Sequence, residues 1–221
     1  MSVIQIYIHY LIPLTTSQAT AYLSLTIKSL HFTTFQTNLL TIPAYVLFII
    51  NLLFWTWFSE KTNQRFLTGL ASQIWCLPLL IILEFLGTGA SRWGRYTLSI
   101  LLVGAPYVHA INVAITSRNA GSVRTRTVAS AMYNMTVQAS NVIASQIYRT
   151  DDAPLYRTGN KVLIVITCYN ILLFVGAKFF YVWRNNIREK RWAGMSQEER
   201  ETYLATTTDK GNKLLTFRFA S

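Results

Sequence analysis

Asn134, Gln138 and Asn141 stand four and three residues apart, so a helix places their side chains on one stripe. Ser130 begins that stripe, and Ser145 and Tyr148 carry it on. Amides and hydroxyls there offer reversible hydrogen bonds. A second group, His109, Asn112 and Thr116, steps by three and four just after Tyr107. An imidazole adds a group whose ordinary pKa lies near neutral pH. Two uses fit such stripes. They either hydrogen-bond helix to helix, or line a hydrated cavity that handles a polar solute. His109 on its own fits equally well as a neutral ring donating to a backbone carbonyl. Three scattered His, with Cys76 and Cys168 inside apolar tracts, assemble no nucleophile–base pair and no metal-ligand spacing. The chain therefore reads as neither an enzyme nor a cofactor or metal protein.

The setting of these residues sharpens the question. Thr127 to Tyr148 carries no formal charge over 22 residues. The whole chain has 221 residues, 52% hydrophobic and 13% charged, against a charged share of about 25% in ordinary globular domains. Lys and Arg outnumber Asp and Glu by 20 to 9. Those charges sit between long uncharged tracts rather than on a polar surface, which argues against a nucleic-acid partner. With a rise of 1.5 Å per residue, about 20 residues cross a hydrocarbon core of about 30 Å. The tracts predict an all-α integral membrane protein with six spans, near 3–24, 37–58, 66–87, 96–117, 127–148 and 162–183. Residues 1–184 form the transmembrane bundle and 185–221 a soluble tail.

An amide without a partner in an alkane-like medium costs about 4–8 kcal/mol. The 134–138–141 stripe is therefore expected to face other helices or water. Gly104 and Pro106 predict a break inside the fourth span, and irregular backbone survives in a membrane where protein buries it or a cavity wets it. Pro13, Thr15, Thr16 and Gln18 mark a similar interruption in the first span, and Pro43 falls near the start of the second.

Loop charges set an orientation. With both ends of the six-span block in the cytosol, nine basic residues face inward: Lys61, Arg65, Arg118, Arg124, Arg126, Arg184, Arg188, Lys190 and Arg191. Six face outward: Lys28, Arg92, Arg95, Arg149, Arg157 and Lys161. The aromatic runs Phe54–Phe58 and Phe179–Trp183 would lie at the inner interface, with Trp93 and Tyr96 at the outer one.

The runs TFQTNLLTIP (34–43), PYVHAINVAITSRN (106–119), VRTRTVASAMYNM (123–135), QIYRTDDAPLYRTGNK (146–161) and YLATTTDKGNKLLTFRF (203–219) carry a resemblance. Together they resemble the C-terminal half of fungal anion:cation symporters of the major facilitator superfamily, the allantoate permease family, and within it the nicotinic acid permeases. The resemblance covers essentially the whole chain. It implies that the six spans correspond to helices 7–12 of a twelve-helix transporter. SEKTNQR (59–65) resembles that superfamily's cytoplasmic loop in degenerate form. Glu60 and Lys61 match its acidic–basic pair and Arg65 closes it, while Asn63 and Thr56 stand where the pattern has Gly.

The resemblance further implies proton-coupled uptake of a small organic anion, nicotinate- or allantoate-like, in the plasma membrane with the C-terminus cytoplasmic. From their positions on the polar stripes, the residues expected to meet that substrate are Tyr107, His109, Asn112, Asn134, Gln138 and Asn141, with Gln18 and Tyr45 as secondary candidates. Amides would donate to a carboxylate, and Tyr107 would stack on a ring or donate its hydroxyl. The match begins at helix 7. The chain is therefore expected to be an incomplete half that does not transport alone, and to need the missing N-terminal half or a homodimer. A non-transporting fragment that binds or competes with a full-length relative is the alternative. In the tail, REKRW (188–192) serves either to attract anionic lipid or simply to set topology. SQEE (196–199) predicts a capped helix from Ser196 to about Leu204.

Overall fold

The computed structural model describes residues 33–86, 91–144, 146–147, 152 and 156–220. The first predicted span, with Gln18, lies outside them, as do Ser145 and Tyr148. The described residues form seven α-helices: α1 (Thr34–Thr62), α2 (Arg65–Phe85), α3 (Arg92–Val103), α4 (His109–Asn119), α5 (Val123–Ala144), α6 (Arg157–Ala193) and α7 (Gln197–Thr206). No strand occurs among them. The all-helical expectation holds.

Among the described residues three stretches are long and apolar enough to cross a membrane: Asn38–Thr62, Arg65–Phe85 and Arg157–Ala193. They contain the predicted sixth span and overlap most of the second and third. The predicted 96–117 span is instead two helices, α3 and α4, separated at Gly104–Val108. The last predicted span continues without interruption to Ala193.

The helix ends follow from local chemistry. Thr33 and Gln36 close a capping box on α1, whose last turn gives way to Asn63 at φ 54°. Asn is among the few side chains that tolerate this left-handed backbone, so the position where the resembled loop has Gly is met by an adequate substitute. Asp152 supplies the acceptors for α6: its carboxylate takes the Thr158 hydroxyl at 3.2 Å and the Gly159 amide at 3.1 Å. A carboxylate there also complements the positive end of the helix dipole. Ser196 and Glu199 form the expected capping box on α7.

Helix α2 lies at the centre, antiparallel to α6. Glu84 and Lys161 approach to 3.9 Å at one end, and Lys178 donates to Gln64 at 3.0 Å toward the other. Between them, Gly69 is so close to the Phe174 ring that a Cβ would collide with it. The main apolar cluster joins Phe66 of α2, Val108, Ile111 and Ile115 around α4, and Phe174, Ala177 and Tyr181 of α6. Leu80, Leu83, Leu102 and Leu163 pack a second cluster nearer the Glu84 end. On α1, Ala44 meets Tyr96 and Val103, while Leu39, Ile42, Val46, Ile49, Leu53 and Phe54 are exposed.

Candidate functional site

The site is organised by the break in the chain between α3 and α4. Where a helix stops, its last carbonyls lose their intrahelical donors, and water cannot reach them in a membrane interior. Three side chains take their place. Asn51 donates to the Gly104 carbonyl at 2.6 Å, Ser72 to Pro106 at 2.7 Å, and the Trp75 indole N–H to Leu101 at 3.0 Å. The break is thus anchored from α1 and α2 and buried in protein. Gly104 is required there, because a Cβ would run into the Leu47 side chain.

Beyond the break the chain presents Tyr107 and His109. Tyr107 is half-buried with its ring 5.1 Å from Phe48 and 5.7 Å from His109. The His109 ring lies 5.1 Å from that of Tyr133, and its Nδ1 is 2.7 Å from the Tyr133 hydroxyl. A row of rings therefore runs from Phe48 on α1 to Tyr133 on α5. Tyr45, one turn before Phe48, is exposed on the same side of α1. Asn112 follows His109 by one turn and is buried. Its side-chain amide lies beside the Tyr133 hydroxyl and interacts with it. The Thr116 hydroxyl bonds back to the Asn112 carbonyl at 2.8 Å.

Helix α5 packs through Ala129, Tyr133, Thr136 and Ser140, all buried. Asn134, Gln138 and Asn141 are exposed. Val128, Met135, Ala139, Val142 and Ile143 are exposed as well. Of the expected site residues, the structure brings Tyr107, His109 and Asn112 together. Asn134, Gln138 and Asn141 lie on the exposed side of the helix that carries Tyr133, and Tyr45 stands apart on α1. Tyr133, Asn51, Ser72 and Trp75 were not anticipated. Tyr133, Thr136 and Ser140 repeat the three-and-four spacing one position out of phase with the amides. That second stripe was visible in the sequence, but its spacing alone does not tell which stripe is packed.

At the Asn63 end, Arg118 of α4 donates to Asn63 at 3.3 Å, and Lys61 lies over the Trp57 ring at 5.0 Å. Glu60 and Lys61 are exposed, while Arg65 is half-buried with its Nε unpaired. Arg188 of REKRW is buried rather than presented to lipid.

No family model matches the chain, and no solved structure does. The chain is 46% identical over 205 residues to a putative uncharacterized transporter of Saccharomyces cerevisiae, an alignment covering 92% of this chain and 95% of that protein. A second uncharacterized transporter of the same yeast is 42% identical over 90% of this chain, but the match covers only 37% of its length. The high-affinity nicotinic acid transporter of Saccharomyces cerevisiae is 27% identical over 79% of this chain and 32% of its own. The chain thus spans nearly all of one relative and about a third of the longer two.

Proposed function

The chain belongs to a family of yeast transporters, and on that footing we propose that it supplies one half of a site for a small organic anion. The proposed half-site consists of Tyr107, His109 and Asn112 with the exposed amides Asn134, Gln138 and Asn141, and Tyr45 and Gln18 are the further candidates that the sequence offers. One observation carries the reading: the buried Asn112 amide lies beside the His109–Tyr133 pair, in one cluster with Tyr107. A carboxylate bound there would accept from the amide and hydroxyl donors of this cluster. The exposed amide stripe supports it further, because amides on a membrane helix need water, a solute or an opposing bundle.

In this reading the chain is the C-terminal six-helix bundle of a major facilitator-type symporter of the allantoate permease kind. The opposing wall comes from a separate N-terminal half or a second copy, and the ligand is nicotinate- or allantoate-like, carried with a proton. The resemblance of the loop at Glu60, Lys61 and Arg65 supports the same placement, with the C-terminus in the cytosol.

The test is uptake of radiolabelled nicotinate or allantoate by proteoliposomes under an imposed pH gradient. They would contain the chain alone, or the chain together with an N-terminal half from a longer relative. Saturable, gradient-dependent flux that Asn112→Ala and Gln138→Ala reduce at least tenfold supports the assignment. Flux unchanged by both substitutions overturns the site. Absence of flux in both preparations favours a fragment that binds a full-length relative without transporting.

A further inference from the structure

The carboxy-terminal segment folds back onto the Asn63 end of the bundle, where two buried polar side chains, Asn119 and Arg188, and the half-buried Asn185 receive it. Asn119, the last residue of α4, pairs with the Ala220 backbone in both directions: its Oδ1 accepts from the Ala220 amide at 2.8 Å, and its Nδ2 donates to that residue's carbonyl at 3.3 Å. Asn185 of α6 does the same with Phe219, accepting and donating at 2.9 Å each. Arg188 forks between two carbonyls, Asn212 at 2.7 Å and Phe217 at 3.1 Å. Its guanidinium lies 4.7 Å over the Phe219 ring. That ring packs in turn, tilted by 41°, with its centroid 5.1 Å from that of Tyr181 at the end of the main apolar cluster.

The tail is recognised mostly through its main chain, and the turn between α4 and α5 is shaped to admit it. Gly121 has φ 78° and a Cβ there would strike the Asn212 backbone; Gly211, at φ 61°, lies directly against Gly121. The Asn212 side chain returns a 3.1 Å bond to the Asn119 carbonyl. Asn119 is fully buried and Arg188 is 6% exposed. Buried groups of this kind persist when every donor has an acceptor, and here the tail carbonyls are the acceptors.

We infer that residues 211–220 are a clasp, bound in a main-chain-reading site built from Asn119, Gly121, Asn185 and Arg188, and that this clasp fastens the α4–α5 turn to α6. In the main apolar cluster α4 and α6 come together through Ile111 and Ile115, two turns and one turn back from the α4 end. At the turn itself the tail makes the connection. Releasing the clasp lets the α4–α5 hairpin move against α6 while the α2–α6 packing around Gly69 stays in place. The inference does not depend on what the protein carries.

Hydrogen–deuterium exchange on the full chain in detergent or nanodiscs tests it. Three variants are compared with the parent: Phe219→Ala, whose change lies in the tail, Asn185→Ala and Arg188→Gln. In the parent, peptides covering 211–220 exchange slowly. In the variants those peptides exchange at least tenfold faster, and peptides covering 119–126 speed up with them, while peptides around 66–80 keep the parent rate. Lys213→Ala, on an exposed side chain, matches the parent. Fast exchange of the parent tail overturns the inference. So does a tail freed by Phe219→Ala with the 119–126 region unchanged. Should Arg188→Gln fail to fold, Phe219→Ala decides alone.

Discussion

Removing the Ser72 hydroxyl isolates the energetics of the broken helix. Ser72→Ala deletes one oxygen, makes almost no cavity and leaves the charge unchanged. Its hydroxyl is the donor to the Pro106 carbonyl at 2.7 Å, on a residue only 2% exposed. A buried group left unsatisfied costs about 1–3 kcal/mol in water-soluble proteins. Side-chain hydrogen bonds between membrane helices average about 0.6 kcal/mol and reach about 1.7, because the unfolded chain in the membrane also finds partners. The second range governs here, so Ser72→Ala should destabilise by about 1 kcal/mol, roughly a fivefold fall in the folded-to-unfolded ratio. Asn51→Ala and Trp75→Phe each release a different carbonyl and should cost a similar amount. The assay is reversible SDS titration in mixed micelles followed by far-ultraviolet circular dichroism. A double-mutant cycle makes the reasoning refutable. Pro106→Ala restores a main-chain N–H and allows the helix to continue, whereupon the 106 carbonyl finds a donor within its own helix. In that background the cost of Ser72→Ala should fall toward zero. A Ser72→Ala protein as stable as the parent, or an undiminished cost beside Pro106→Ala, would refute the account.

Other expectations follow from single contacts. Gly69→Ala forces its Cβ into the Phe174 ring and should destabilise by about 1–3 kcal/mol in the same titration, with recovery when Phe174→Leu is added. Ser196→Ala removes the cap of α7 at a local cost of about 1 kcal/mol; amide exchange at residues 197–200 should rise while the unfolding midpoint of the membrane helices stays put. Glu84→Gln breaks a 3.9 Å pair whose Lys161 side chain is 69% exposed, and such pairs are worth about 0–1 kcal/mol. The titration midpoint should scarcely move, and less still in high salt; a large drop would mean that Glu84 has a further role.

Composition and charge spacing were enough to make this an all-helical membrane chain. The break near Gly104 and Pro106, the capping box at Ser196 and the helices at α1, α2 and α6 were likewise legible, because each depends on residues within a turn or two of one another. The resemblance in QIYRTDDAPLYRTGNK and the tail pointed to transporters, the family that the relatives bear out. Three things were decided only by tertiary structure. A helical stripe has no address until its neighbours are placed, so Tyr133, Thr136 and Ser140 competed on equal terms with Asn134, Gln138 and Asn141 for the packed side. The donors that stabilise the break, Asn51, Ser72 and Trp75, lie 26–53 residues from the carbonyls they satisfy. Arg188 reads locally as one more basic residue after a membrane helix. Its burial depends on Asn212 and Phe217, 24 and 29 residues away, and no local pattern encodes a pairing that exists only once the tail has folded back.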